Sequence, residues 1–309
     1  MPVPRRRGNL ARMDKKIYIH AGAHRTGTSS LQMCLAENAD TLQGLGYDLA
    51  YPTRDGAPGR GLALRLPRPR DVGAKGLSLR PFIRKTRNEL DQISPDATRA
   101  LILSEENIPG PMRSFYAGKF LPAASLRAHA LRRALPNPPA HVLFVTRSYD
   151  ALFVSAYRKR AEDNASRPFA ELRDTLATIT GGWVDVITAL RDDLKPAQLT
   201  VLDYAARGSS PQLLTRLIPD LAGTDLHEPA RTVNLSATDK ALEILQKRYH
   251  AGEELSRPEW QSVIAKHSDT REDRGFAAFT PEQAQTLQSR YANDLDQIET
   301  LDGVTLIRG

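Results

Sequence analysis

The chain has 309 residues, 40% hydrophobic and 26% charged, enough to bury a substantial core in one large domain or two small ones. It carries a net charge of +7 and a single cysteine, Cys34, which excludes an intrachain disulfide and a cysteine-rich metal site. No run approaches the roughly 20 apolar residues that cross a bilayer, and Met1-Pro2-Val3-Pro4-Arg5-Arg6-Arg7 has no apolar stretch behind it as a secretory signal has, so a cytoplasmic protein is expected.

The positive charge is local. Arg5, Arg6, Arg7 and Arg12 lie in residues 1–14, a basic tail expected to be disordered, with Met13 as an alternative start. Between Arg54 and Arg87 ten basic residues face only Asp55 and Asp71, so the remainder of the chain is net acidic. A nucleic-acid binder wants aromatics interleaved with such charges for stacking, and this segment contains only Phe82.

In chain order, the first predicted strand is Ile17–Ala21, followed by a glycine-framed loop and a helix from Thr28 to about Leu42. Residues 52–81 hold much of the proline and glycine and read as an irregular excursion; an insertion of that length in a compact domain is often functional. The strand Ala100–Ser104 runs into Glu105-Glu106-Asn107, and a helix over Lys119–Leu135 ends before Asn137-Pro138-Pro139. The strand His141–Arg147 leads to helices over Ser148–Glu162 and Phe169–Leu194 and then to the strand Leu199–Tyr204. A mostly helical C-terminal third follows, punctuated by caps at Ser210-Pro211 and Thr280-Pro281-Glu282-Gln283, before a last strand at Val304–Ile307. The alternation predicts an α/β fold, a P-loop-like domain over 15–309 with a central, mainly parallel β-sheet flanked by helices. Trp183 and Trp260 fall in helical patterns and read as core or half-buried residues, and Cys34 reads as a packed thiol.

The segment Ile17-Tyr-Ile-His20-Ala-Gly22-Ala-His24-Arg25-Thr26-Gly27-Thr28-Ser29-Ser30 carries the first chemistry. A strand, a glycine-framed loop and a helix start cradle a phosphate on backbone N–H groups. Against G-x-x-x-x-G-K-[ST], Gly22 and Gly27 are correctly spaced and Ser29 is present, but Thr28 stands where an NTPase has lysine. The nearest cation, Arg25, lies inside the loop. The run Arg25-Thr26-Gly27-Thr28-Ser29 resembles the 5′-phosphosulfate loop K-[ST]-G-T-[TS] of sulfotransferases, whose donor is 3′-phosphoadenosine 5′-phosphosulfate (PAPS).

A second constellation follows the strand His141–Arg147. Arg147 ends an apolar run and Ser155 lies two turns along the next helix, so a guanidinium and a hydroxyl can grip one phosphate from two sides. Their spacing is similar to the arginine and serine of the sulfotransferase 3′-phosphate site. The resemblance covers roughly residues 15–300, with residues 17–32, 101–107 and 141–158 specific. It implies transfer of a sulfuryl group from PAPS to an acceptor hydroxyl or amine without a metal. His24, Arg25, Thr26, Gly27, Thr28, Ser29, Ser30, Arg147 and Ser155 would hold the donor, and Arg25 would also stabilise charge on the bridging oxygen. His24 has two readings, donor contact or a hydrogen bond to the backbone.

A carboxylate at a strand end can take the acceptor proton. Resemblance to bacterial relatives with a Ser-Ser-Glu-Asn-like run points to Glu106, with Glu105 the less favoured neighbour and a solvated acidic turn the structural alternative. Val233-Asn234-Leu235-Ser236 resembles an Asn-x-Ser of the same proteins; Ser236 reads either as a helix cap ahead of Asp239 or as a ligand contact that Arg231 joins. His20 and His24 fall on a strand and a loop, so they do not share a helix face as paired zinc ligands do. The basic insertion, residues 52–88, reads as the acceptor region for an anionic or polyhydroxylated partner such as a glycan or glycolipid, or as a solubilising loop. The alternatives to a sulfotransferase are a non-catalytic PAPS-fold binding protein and, less favoured, an atypical P-loop kinase.

Overall fold

Six short apolar runs assemble into one all-parallel sheet in the computed structural model, which describes residues 15–53, 61–230 and 237–309. The basic tail, Arg54, Arg231 and Val233-Asn234-Leu235-Ser236 lie outside the described residues. The strands are β1 (Ile17–His20), β2 (Tyr47–Ala50), β3 (Ala100–Ser104), β4 (His141–Thr146), β5 (Leu199–Asp203) and β6 (Val304–Ile307), in the spatial order β2-β3-β1-β4-β5-β6. Alternate residues serve opposite faces, the consequence of a side-chain period of two. Ile17, Ile19, Leu103, Phe144 and Val201 join one buried cluster, and Tyr18, Ile102, Leu143, Val145 and Leu202 join the other.

Eleven helices among the described residues surround the sheet. They are α1 (Thr28–Glu37), α2 (Ala39–Gly44), α3 (Arg80–Ile93), α4 (Ala124–Ala134), α5 (Tyr149–Ala161), α6 (Phe169–Ala177), α7 (Trp183–Ala189), α8 (Ser210–Leu217), α9 (Asp239–His250), α10 (Arg257–Lys266) and α11 (Pro281–Glu299). No described helix is long and apolar enough to cross a membrane.

Several boundaries differ from expectation, each for a local reason. The helix expected over Thr28–Leu42 breaks at Asn38, whose Nδ2 donates to the carbonyls of Cys34 and His227 and whose Oδ1 accepts from the His227 N–H. The helix expected from Lys119 starts at Ala124. Phe120 N–H bonds instead to Thr180 O at 2.8 Å, and Leu121 is left-handed at φ 44°. The span Phe169–Leu194 is interrupted at Gly181-Gly182, where Gly181 has φ 78° and an added Cβ would press on Phe120 O at 3.2 Å. Ser209, not Ser210, caps α8, accepting from Gln212 N–H. Thr238 caps α9, accepting from Ala241 N–H. Thr280 caps α11 with the expected capping box.

Strand β2 was outside the expectation, because four residues between Gly46 and Pro52 carry too short a pattern to read. Its outward Asp48 is held by Arg99 at 2.7 Å. β1 lies between β3 and β4, so the chain leaves β1 toward one side of the sheet and returns on the other. The carboxyl ends at such a switch form a crevice, and the glycine loop opens into it.

Candidate functional site

The loop after β1 owes its shape to close packing. A Cβ on Gly22 would lie 2.6 Å from His20 Cε1 and 2.8 Å from Thr28 Oγ1, so only glycine fits. Gly27 is left-handed at φ 86° and stands at the N-cap of α1 with no side-chain cap bond. Thr26 Oγ1 donates to Ala23 O at 2.6 Å and Thr28 Oγ1 to the same oxygen at 3.4 Å, so these hydroxyls brace the loop. Ser29 and Ser30 are half-buried beside them. Arg25 has φ 65°, a conformation costing about 1–2 kcal/mol for a residue with a Cβ.

The second constellation meets the first. Arg25 Nε donates to Ser155 Oγ at 2.9 Å, and Arg147 Nη1 donates to the Arg25 carbonyl at 2.8 Å. Burial lowers the Arg25 pKa and the Arg147 charge adds to that, while Glu162, Glu106 and Tyr204 oppose it. Arg147 Nε is buried with no hydrogen-bond partner among the described residues, and its guanidinium lies 4.9 Å from the centre of the Tyr204 ring. The strand end that carries Arg147 is held from behind: Trp183 Nε1 donates to Arg147 O at 2.9 Å. The Tyr291 hydroxyl on α11 bonds Thr146 Oγ1 and Asp203 Oδ1, each at 2.8 Å, joining the ends of β4 and β5.

Arg207 was missed by the sequence reading. It follows β5, donates from Nη2 to Gly27 O at 3.1 Å and lies across the glycine at the start of α1. Its Nε is another buried donor with no partner among the described residues, and burial lowers its pKa. The available signal was a cation just beyond a predicted strand end. Tyr204, Trp183 and Tyr291 were missed as supports for Arg147, since their partners are remote in sequence.

The third element is the turn after β3. In-register pairing of β1 with β3 sets His20 beside Ser104, with Nδ1 3.1 Å from Oγ. Burial first, and Arg207 second, push the His20 pKa down to about 3, so the ring is neutral. His20 is buried, and its Nε2 has no partner among the described residues. Glu105 is buried and accepts from Asn107 N–H at 2.7 Å and Nδ2 at 3.0 Å. Glu106 Oε1 lies 3.3 Å from His24 Nδ1, and His24 Nε2 lies 3.0 Å from Asn107 Oδ1. His24 therefore joins this acidic turn by side-chain contacts. Arg127 ties the turn to the basic segment, donating to Ile108 O at 3.0 Å and also to the carbonyls of Asn107 and Pro67.

The arrangement defines an α/β protein with an all-parallel six-stranded sheet and a cluster of arginines at the carboxyl ends of its strands. Thr26, Gly27, Thr28, Ser29 and Ser30 form the loop rim, Arg25, Arg147 and Ser155 are gathered beside it, and His24 is joined to Glu106. No protein-family model matches the chain, and no curated protein matches it.

Proposed function

We propose that the chain is a PAPS-dependent sulfotransferase, moving a sulfuryl group from PAPS to a hydroxyl or amine of an acceptor. The observation that carries the reading is the convergence of two sequence motifs on Arg25, whose Nε donates to Ser155 Oγ and whose carbonyl accepts from Arg147 Nη1. Two adjacent guanidiniums repel, and an anion between them relieves that repulsion. The orphaned Arg147 Nε, the α1 N-terminus without a side-chain cap bond and the glycines that leave no room for a Cβ fit an anionic nucleotide.

In this reading the backbone from Gly22 to Ser30, with Arg25, holds the 5′-phosphosulfate, and Arg147 with Ser155 holds the 3′-phosphate. Ser155 already accepts from Arg25, so the two halves of the donor site share one network. Glu106, half-buried at the mouth of the same crevice, takes the acceptor proton. Arginine at position 25 keeps the positive charge and offers two donors, but it cannot release a proton at neutral pH. The basic segment is the acceptor region: Leu62 and Leu66 anchor it in the core, while Arg65, Arg68 and Arg70 are exposed.

Calorimetric titration with PAPS and with Mg-ATP, followed by an assay of sulfate transfer to hydroxyl acceptors, tests the reading. Sub-millimolar PAPS binding is expected, weakened about 10- to 100-fold in Arg147→Ala, the loss expected for removal of a charge-assisted contact. ATP binding without PAPS binding would sink the proposal. PAPS binding without turnover on any acceptor would make the chain a binding protein.

A further inference from the structure

We infer that His24 is the positioning partner of Glu106, and that the two side chains accept the proton as one unit. This rests on the sulfotransferase reading and changes one residue's part in it, because the resemblance had assigned His24 to the donor. The basis is the geometry of four contacts. Asn107 Nδ2 and the Asn107 backbone N–H both donate to Glu105 Oε1, at 3.0 and 2.7 Å, which leaves Oδ1 as the acceptor end of the amide. An amide oxygen only accepts, so the His24 nitrogen 3.0 Å from it, Nε2, carries a proton. In a neutral imidazole the other nitrogen is then bare. That nitrogen, Nδ1, lies 3.3 Å from Glu106 Oε1.

A bare nitrogen facing a carboxylate makes a place for one additional proton. The two side chains are only 12% and 15% exposed, so water competes little for the contact. Of the titratable groups nearby, Arg25 and His20 feel the charge of Glu106, and Arg127 feels that of Glu105. His20 is neutral, which leaves Arg25 as the cation coupled directly to Glu106 among these groups.

The step balances without another reactant. The acceptor oxygen bonds to sulfur, the bond from sulfur to the bridging phosphate oxygen breaks, and its electron pair stays on that oxygen. The hydroxyl proton passes to Glu106 and is shared with His24 Nδ1. His24 acts through Glu106 and touches neither sulfur nor phosphate.

The test uses the full chain, radiolabelled PAPS as the probe and water as acceptor, with affinity measured by calorimetry and turnover as sulfate release. His24→Phe is expected to keep PAPS affinity within about twofold while release falls at least about tenfold, the lower range of what a general base contributes. Glu106→Gln should give a similar loss, and the double variant should lose little more, as residues acting as a unit do. Weakened PAPS affinity with unchanged release from bound PAPS would make His24 a donor ligand and overturn the inference. A readout independent of folding in the variant comes from nitrogen-15 spectra of the histidines in the unsubstituted chain. His24, assigned by its missing signal in His24→Phe, should show the neutral tautomer protonated at Nε2, and protonation at Nδ1 would overturn the pair. Failure of the unsubstituted chain to bind PAPS would remove the sulfotransferase reading and the pair with it; binding with unaffected release in His24→Phe would remove the pair alone.

Discussion

His20 shows how one residue records the demands of its surroundings. Its ring is 1% exposed and supports the glycine loop from below, beside Gly22 and Thr28. The ordinary histidine pKa of 6.5 is pushed to about 3 in the fold, chiefly by burial. The unfolded chain therefore binds more protons here between these two values, so the contribution is fully present above pH 6.5 and is lost as pH falls toward 3. Over that window the loss amounts to a few kcal/mol. His20→Gln should flatten the decline in urea-unfolding free energy between pH 7 and pH 5; parallel declines in the two proteins would trace the acid sensitivity to other groups. Arg25, by contrast, keeps a strained left-handed backbone that glycine adopts more easily, and its guanidinium is engaged by Ser155. Strain held by its surroundings is common at functional loops.

At the scale of elements, the crevice depends on supports from distant helices. α7 and α11 hold the ends of β4 and β5 through Trp183 and Tyr291, and neither side chain needs to touch a ligand. Trp183→Phe keeps most of the aromatic packing around Phe120, Phe144 and Tyr149 but removes the donor to Arg147 O. The expected outcome is a loss of about 1 kcal/mol in unfolding free energy, the net worth of one hydrogen bond, together with weaker PAPS binding. Unchanged PAPS affinity would show that Arg147 holds its position without the indole. The elements themselves were legible where an apolar run is bounded by breakers, as in β3, β4 and β5. They were illegible where a tertiary bond decides the boundary: the Asn38 break depends on His227, and the start of α4 on Thr180.

For the whole molecule, the distribution of charge is the informative quantity. The ten basic residues between Arg54 and Arg87 follow the first helices, and among the described residues Arg127 fastens this segment to the turn that carries Glu106. That link gives the proposed acceptor region a physical basis, since the exposed arginines and the proposed base share a common anchor. Replacing Arg65, Arg68 and Arg70 together with serine should raise KM for an anionic or polyhydroxylated acceptor and leave PAPS affinity unchanged. An unaltered acceptor KM would remove the segment from substrate binding. Because the three side chains are exposed, the triple variant should unfold within about 1 kcal/mol of the parent.

The amino-acid sequence by itself determined the α/β class, the chain positions of the main strands and the glycine loop after the first of them, because these depend on local periodicity and turn chemistry. It also marked Glu105 and Glu106 as candidates at a strand end. Only the tertiary structure decided that Arg25 reaches Ser155, that Arg207 lies across Gly27, and that His24 spans Glu106 and Asn107. These contacts join residues brought together by parallel pairing of β1 with β3 and β4, and a linear pattern carries no signal for which side chains that pairing makes neighbours.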